Sequence, residues 1–452
     1  MAEKWSGRVG FILATIGSAV GLGSIWKFPY EVGQNGGGAF VLFYLLGLLC
    51  VVLPLVLAEF AIGRRGEGDA PASIARVAAE GGHGAGWRRL GWLMVATGFA
   101  ILSYYAVVGG QTLAYFSHAL TSGFGGIDAA GTRALFAATV ADPVSLCLWQ
   151  AVFLASAASV VARGIGGGIE AACRILMPVL LVLMLVLVGY AVIQGDVART
   201  ASFLLAPRFE NFGPHQALEA LGLGFFSIGV GLGAMITYAA HVAPGTRLSS
   251  AAVITVAGDT AVSFLAGFAV FPLVFAHGLD PAGGTALMFL SLPIAFGRLP
   301  FGDIVGAAFF LALFVAALAS AIALLELAVE PLIRVSGGSR RRVAWLTGIA
   351  CWIAGLPSAL SFNLWEAARP LAWIPGFADA NVMEAVDRIT SNLMLPAGGF
   401  FVSWLAGRAL RDAHLAEVLG LRATGAAVLR VLLRWIVPGL ILLFVVVGHI
   451  AA

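Results

Sequence analysis

The apolar residues of this chain form eleven long runs, separated by short polar or turn-forming stretches. A helix needs about 20 predominantly apolar residues to cross a bilayer, so the pattern predicts an all-α integral membrane protein with eleven transmembrane helices. The predicted spans cover residues 9–33, 38–63, 88–118, 144–162, 169–193, 215–241, 249–275, 302–333, 342–358, 381–407 and 427–450. The stretch 276–301 has helical apolar content of its own and predicts a re-entrant or lid hairpin.

Composition agrees with this pattern. Of the 452 residues, 60% are hydrophobic and only 11% are charged, and the mean hydropathy is +0.97. Soluble domains carry about 25% charged residues, so a soluble enzyme is excluded. The basic residues lie in short loops, which gives no reason to expect a nucleic-acid partner. The lipid bilayer is the expected environment.

The distribution of basic residues predicts the orientation. With the N-terminus in the cytoplasm, 19 of the 26 lysines and arginines fall on the cytoplasmic side, as the positive-inside rule requires. We therefore expect a multi-pass protein of the cell inner (plasma) membrane, with its N-terminus cytoplasmic and its C-terminus outside. We expect residues 1–452 to form one membrane domain, in which a first repeat (1–193) and a second, inverted repeat (215–407) precede an eleventh span (427–450).

A tetrapeptide occurs twice inside these apolar runs. Val20–Gly23 returns unchanged at Val230–Gly233, and a serine precedes each copy, Ser18 in the first and Ser227 in the second. Glycine costs up to about 1 kcal/mol per residue in a helix, so its density here predicts a break in each span. Broken helices in both halves free backbone carbonyls and amides for an ion and a polar solute, as in secondary transporters. A packing seam of small residues is the alternative, since Gly17 and Gly21 lie four residues apart.

Three regions of the sequence resemble the neurotransmitter:sodium symporters. Trp5–Arg8, Gly17–Tyr30 and Asn35–Phe40 are similar to the first span of that family. Pro54–Arg64 resembles the end of its second span, and Phe225–Tyr238 resembles its sixth. The likeness extends in order along essentially the whole chain. It implies a LeuT-type fold of inverted five-helix repeats, with helices 1 and 6 broken, and sodium-driven uptake of an amino acid by alternating access.

The resemblance also implies two sodium sites. One would use carbonyls of Gly17, Val20 and Ala316 with the Ser320 hydroxyl. The other would use Ala19, Ser24, Ser227 and Asp259 with the substrate carboxylate. Both sets depart from the family pattern, because Ala319 replaces a usual threonine, and Ser24 and Asp259 stand where asparagine is usual. One or two sodium ions are therefore expected, and no organic cofactor.

Asp259 has two interpretations. A carboxylate in mid-span costs about 2.5–3.5 kcal/mol to insert and is expected to face a cation or a cavity. We interpret it as a sodium ligand that supplies fixed negative charge, and the alternative is a proton-bearing acid coupled to transport. Chloride-dependent relatives have a glutamine at the position of Leu223. Although Tyr44 and Ser263 match chloride-coordinating positions, Leu223 cannot bind the anion, so chloride is not expected.

The implied substrate pocket lies at the two breaks. Its predicted lining is Ala19, Leu22, Gly23, Ile101, Tyr105, Phe226, Ser227, Gly229, Leu232, Ser320 and Leu324. Tyr105 would donate to the substrate carboxylate, and Phe226 would close above it. Gly21, where monoamine carriers have an aspartate, favours a substrate with its own carboxylate. Gly229 and Leu232 replace bulkier or polar residues, which predicts a roomy apolar pocket for Leu, Met or an aromatic amino acid.

The implied gates are also altered. At the outer gate, Lys27 replaces an arginine opposite Asp387, and a lysine makes a looser point contact with a carboxylate. Phe226, Trp5 and Tyr238 are the other predicted gate residues.

The inner charge pair of the family is missing, because its arginine and aspartate positions hold Ala2 and Arg334. Glu3 with Arg334 would be a charge-reversed substitute. His241, where tyrosine is usual, is either an interfacial histidine or a protonatable gate element.

Together these features predict a secondary active transporter for sodium-coupled symport of a small amino acid. One alternative is the same fold with proton or single-sodium coupling, and another is an amino-acid sensor with slow transport. An enzyme is not expected, since the chain has no H-E-x-x-H or G-x-S-x-G motif and Asp259 has no evident carboxylate partner. The expected partners are an amino acid and lipid, and a homodimer is left open.

Overall fold

The structure, a computed structural model, describes residues 4–210, 212–281 and 287–450, with side chains described as far as residue 446. Within these residues the chain is helical, with no strand. In chain order the α-helices are α1 (Arg8–Ala19), α2 (Phe28–Gln34), α3 (Gly38–Gly47), α4 (Leu53–Gly66), α5 (Ala70–Glu80), α6 (Arg88–Thr121), α7 (Ala129–Ala141), α8 (Pro143–Val161), α9 (Ala171–Gln194), α10 (Val197–Leu205), α11 (Pro214–Ile228), α12 (Ala234–Ala240), α13 (Leu248–Ala276), α14 (Leu292–Arg298), α15 (Gly302–Ser336), α16 (Arg340–Leu360), α17 (Val382–Ile389), α18 (Leu395–Ala409), α19 (Asp412–Leu419), α20 (Ala423–Val431) and α21 (Val437–Ile450).

Short π-helical segments extend several of these helices without interrupting them. They are Gly23–Lys27, Leu48–Val52, Ile165–Glu170, Leu287–Ser291, Thr390–Met394 and Leu432–Ile436, and Ala85–Trp87 is a turn of 3₁₀-helix. The segment Leu287–Gly297 is apolar but too short to span a bilayer. Its Phe289 ring packs 5.0 Å from Tyr115 and 5.9 Å from Phe310, so this part of the predicted hairpin packs against α6 and α15.

Over the described residues, nine continuous helical runs are long and apolar enough to cross a membrane. A tenth is reached if the bent pair Arg8–Ala19 and Gly23–Gln34 forms one span. The predicted span 215–241 is not one continuous helix, because α11 ends at Ile228 and α12 begins at Ala234. Eleven spans are therefore counted only if α11 and α12 are also taken together.

The two repeated tetrapeptides interrupt their helices in different ways. In the first, Val20 is extended (ψ 109°) after α1, and the chain continues as a helix bent by 53°. In the second, Gly229, Gly231 and Gly233 have φ of 68°, 89° and 86°, a region that residues with a Cβ rarely adopt. Glycine at the second break is thus required by backbone conformation.

Helix α15 forms the centre of the bundle. Residues that are apolar on every face predict a helix buried all round, and Val315–Val329 is buried at every position. It packs against α1, α6, α8, α9 and α16. The outer surface of α9, in contrast, carries exposed Leu181, Val182 and Leu185, as expected for a helix that faces lipid.

Candidate substrate and ion site

The two breaks meet beside the middle of α13. A methyl group at Gly23 would lie 2.9 Å from the Ser227 Cα atom, so the two backbones touch. Ser227 donates a 2.8 Å hydrogen bond to Asp259, Ser24 donates to the other carboxylate oxygen, and the two hydroxyl oxygens lie 3.2 Å apart. Ser24 and Asp259 are fully buried and Ser227 is 5% exposed. Hydroxyl and carboxylate oxygens are the ligands that a hard cation prefers.

A second oxygen cluster lies at the end of α1, where the first break begins. The Ser320 hydroxyl on α15 is 3.0 Å from the Val20 carbonyl, 3.2 Å from that of Ser18 and 3.4 Å from that of Gly17. These carbonyls are free of helix partners because α1 ends here. Ala316, the remaining predicted ligand of this cluster, is fully buried one turn before Ser320. Ala19, predicted for the other ion, is buried next to Val20. Such an oxygen-only set fits a hard cation.

Between the two clusters lies a small cavity of about 50 Å³. All predicted substrate residues except Ala19 line it, and the cavity adds Ser18, Gly21 and Leu395. In this conformation the cavity is smaller than the roomy pocket that the sequence predicts. The side chains of Tyr105, Phe226 and Leu232 all contribute to its wall. The rest of its wall consists of four aliphatic side chains, three serines and three glycines.

Two groups provide polar contacts in this cavity. The Tyr105 hydroxyl accepts a 3.2 Å hydrogen bond from the Leu22 backbone N–H, so its own hydrogen is available to a carboxylate. A methyl group at Gly21 would lie 2.5 Å from Ser320 Oγ and 2.9 Å from Tyr105 Oη. Gly21 is therefore required for space rather than for backbone conformation.

A larger cavity of about 420 Å³ lies above the small one and shares Leu22, Tyr105 and Phe226 with it. Lys27 and Asp387 both line this upper cavity. Lys27 Nζ lies 4.3 Å from the centre of the Phe226 ring. Asp387 instead accepts 2.8 Å hydrogen bonds from the hydroxyls of Tyr104 and Ser391.

The two residues of the predicted outer gate thus line the same cavity, but each contacts other side chains. Among the described residues no ion pair joins Lys27 to Asp387. Their direct contact stays a prediction for a conformation in which the upper cavity is closed.

At the opposite end, the N-terminal segment covers α12. Trp5 Nε1 donates a 2.9 Å hydrogen bond to the Tyr238 carbonyl, and the two rings meet edge-on at 5.2 Å. The Trp5 N–H donates to the His241 carbonyl at 3.2 Å. His241 Nε2 lies 3.2 Å from Glu330 on α15. These contacts close the lower end of the bundle.

Arg334 has a partner that the sequence analysis did not name, and its pairing with Glu3 stays a prediction. It pairs with Asp69 at 2.8 Å, whereas Glu3 lies outside the described residues. Asp69 caps α5 by accepting from the Ala72 N–H. Burial raises the pKa of the Asp69 carboxyl above its usual range, while the Ala72 N–H and the Arg334 charge oppose that shift. The pair joins the lower end of α15 to the loop between α4 and α5.

Two buried glutamates that accept hydrogen bonds from backbone N–H groups were missed by the sequence analysis. Glu59 on α4 accepts a 2.6 Å hydrogen bond from the Gly231 N–H and so braces the second break. Glu170 accepts from the Ser6 N–H at 2.8 Å and holds the N-terminal segment against α9. A single carboxylate within an apolar run, as in Pro54–Arg64, was the available signal.

Tyr44 and Ser263, which the resemblance matches to chloride-coordinating positions, are both fully buried. Leu223, 2% exposed, adds only apolar atoms.

A bundle with two interrupted helices around a buried oxygen-rich site is the architecture of a LeuT-type secondary transporter. A sequence profile of the sodium:neurotransmitter symporter family matches residues 2–126 and 138–448. The chain belongs to this family.

Relatives and a solved structure agree with that assignment. The sodium-dependent transporter YhdH of Bacillus subtilis is 34% identical over 96% of this chain and 95% of its own length. The sodium-dependent transporter MJ1319 of Methanocaldococcus jannaschii is 35% identical over 78% of this chain and 73% of its own. The crystal structure of MhsT in complex with L-phenylalanine superposes with a TM-score of 0.90, at 38% identity over 98% of this chain and 99% of MhsT.

Proposed function

We propose that this protein is a sodium-coupled symporter of a neutral hydrophobic amino acid that works by alternating access. The observation that carries the proposal is the convergence of both helix breaks on one buried cavity, flanked by two oxygen clusters. Sodium at these clusters would hold the broken ends of α1 and α11 against α13 and α15. Ion binding and substrate binding would then depend on the same backbone.

The ligand chemistry assigns each cluster a role. Carbonyls of Gly17, Val20 and Ala316 with the Ser320 hydroxyl hold one ion. Ser24, Ser227, Asp259 and the Ala19 carbonyl hold the other, with the substrate carboxylate as a further ligand. Asp259 brings a fixed negative charge to this second ion, which supports chloride independence. The apolar Leu223 side chain, at the position of the glutamine of chloride-dependent relatives, supports it as well.

The pocket supports a hydrophobic substrate. Ile101, Phe226, Leu232 and Leu324 line the small cavity, and the Tyr105 hydroxyl is the group that would bind the carboxylate. MhsT, 38% identical, binds L-phenylalanine. We infer that binding moves Phe226 and Leu232 outward, because about 50 Å³ is too little for a large side chain.

The proposed membrane topology has eleven spans, with α1–α2 and α11–α12 each crossing once as broken helices. Residues 1–193 and 215–407 form the inverted repeats, and 427–450 form the last span. The arginine-rich ends of the helices lie in the cytoplasm, so the N-terminus is inside and the C-terminus outside the inner membrane. The upper cavity then opens outward.

Equilibrium binding of radiolabelled amino acids to the purified protein tests this function. Sodium is exchanged for potassium, and chloride for gluconate, at mildly acidic and mildly alkaline pH. Saturable binding of a hydrophobic amino acid that needs sodium and ignores chloride is expected. Binding indifferent to sodium but dependent on pH would favour proton coupling through Asp259. Binding without counterflow in proteoliposomes would favour the sensor.

A further inference from the structure

Two arginines at the cytoplasmic end of the last helices have no carboxylate partner among the residues that the structure describes. Arg408 is near the end of α18, and Arg434 is in the π-helical segment Leu432–Ile436 before α21. A methyl group at Gly407 would lie 2.9 Å from the Arg434 Cα atom, so the two backbones touch beside these arginines. Within the described chain neither forms a salt bridge, although nearby Arg430 pairs with Asp412.

Aromatic rings hold these guanidinium groups in place. Arg408 lies 4.4 Å from the centre of the Trp404 ring and 5.8 Å from that of Trp435, and Arg434 lies 5.5 Å from Trp435. Trp404 is stacked on Trp87 at 5.1 Å. Stacking fixes the plane of a guanidinium and leaves its N–H groups free for another ligand.

The guanidinium groups of Arg408 and Arg434 indicate that this site binds an anion. Arg408 Nη1 is buried without a hydrogen-bond partner, and the positive charge of Arg434 is close enough to repel that of Arg408. Two like charges kept together without a counter-ion are unfavourable, and a phosphate between them would relieve the repulsion. Arginine is suited to this role because its planar fork binds phosphate oxygens in pairs.

The location points to lipid as the source of that phosphate. Trp435 is 61% exposed and lies just before the apolar helix α21. Its neighbours Val431 and Ile436 are also exposed. Tryptophans are enriched where a membrane meets water, and basic pockets between cytoplasmic helix ends bind anionic headgroups. We propose that Arg408 and Arg434, framed by Trp404 and Trp435, bind the phosphate of an anionic phospholipid of the cytoplasmic leaflet, an inference that rests on the orientation proposed above.

Native mass spectrometry of the full-length protein with added phosphatidylglycerol or phosphatidylcholine tests this site. The wild type is expected to bind one phosphatidylglycerol more tightly than phosphatidylcholine. The double variant R408Q/R434Q is expected to weaken that single adduct about 10-fold or more, since it removes the charge-assisted hydrogen bonds of both guanidinium groups to the phosphate. R408K/R434K keeps the charge and should lose less.

A matched control removes the same charge nearby. Arg411 and Arg422 are exposed at the same end, and R411Q/R422Q should change the affinity of the adduct by less than about twofold. Equal losses of affinity in R408Q/R434Q and R411Q/R422Q would mean that the lipid is attracted by the overall positive charge, and would overturn the site. Equal binding of phosphatidylglycerol and phosphatidylcholine would overturn it as well. Displacement of the adduct by inorganic phosphate would identify a soluble-anion site and also contradict the proposal. Each variant must elute as a single species, which separates loss of lipid from misfolding.

Discussion

The hydroxyl of Ser227 donates a 2.8 Å hydrogen bond to Asp259, which ties the end of α11 to the middle of α13. Ser24, just beyond the first break, donates to the same carboxylate. One buried acid thereby contacts both interrupted helices. A cation bound at this acid would stabilise the relative position of the two breaks.

Replacing Asp259 by Asn removes the negative charge while keeping the shape. We expect apparent sodium affinity to fall about 10-fold or more, because hydrogen bonds and contacts to a charged group contribute about 1.5–3 kcal/mol. Scintillation-proximity binding over a sodium titration measures this. T260A is the control, since the Thr260 hydroxyl bonds only to the Val256 carbonyl of its own helix. An unchanged sodium dependence in D259N would exclude Asp259 as a sodium ligand.

Ser320→Ala should weaken sodium binding at the other cluster. Its hydroxyl lies within 3.4 Å of three freed carbonyls, and losing one such ligand is expected to lower apparent sodium affinity about 10-fold. The same sodium titration detects it. S336A, at the end of the same helix, should leave the titration unaltered. Equal curves for S320A and wild type would contradict the assignment.

Gly21→Ala should eliminate substrate binding without unfolding the protein. The added methyl group would lie 2.5 Å from Ser320 Oγ, and overpacking costs about 1–3 kcal/mol. Binding of the identified amino acid and thermal stability are both measured. The control is G189A on α9, where a methyl group meets nothing within 4 Å. Wild-type affinity in G21A would show that the cavity lies elsewhere.

Tyr105→Phe tests carboxylate recognition. Loss of one hydroxyl donor to a charged ligand should weaken substrate binding about 10-fold or more. The matched control is Y115F on the same helix, because the Tyr115 hydroxyl is buried without a hydrogen-bond partner in the described chain. Competition with the decarboxylated amine of the substrate adds a second readout. If Y105F weakens the amine as much as the amino acid, the hydroxyl does not bind the carboxylate.

Arg334→Gln should loosen the lower end of the bundle. Asp69 is 2% exposed at its side chain, and a buried carboxylate that loses its partner is destabilised by about 1–3 kcal/mol. Hydrogen–deuterium exchange is expected to rise over α5 and the N-terminal segment. R76Q is the control, since Arg76 and Glu67 are largely exposed and such surface pairs contribute about 0–1 kcal/mol. Identical exchange in the two variants would show that the Arg334 pair does not hold this end closed.

Much of the architecture could be predicted from local sequence. Runs such as Gly302–Ser336 and Leu248–Ala276 are predominantly apolar. A membrane-spanning helix is the structure that satisfies both their backbone and their side chains. The repeated glycine tetrapeptide located both interruptions. The predicted substrate residues, apart from Ala19, line one cavity because each came from a break or from the buried face of a helix that touches it.

The partners of charged groups were not predictable in the same way. Arg334 contacts Asp69, and Glu59 accepts from the Gly231 N–H, because those distances are set by how α4, α5, α12 and α15 pack. Periodicity carries no information on which helix ends meet.

The sequence by itself determined the helical membrane class, the helix breaks and their polar residues, because these follow from hydropathy and the local cost of glycine in a helix. The tertiary structure decided that Gly21 is needed for space while Gly229, Gly231 and Gly233 are needed for conformation. It also decided that the cavity is small and that Lys27 and Asp387 have separate partners. The physical reason is that side-chain volume and charge act only across contacts between distant segments, and packing alone creates those contacts.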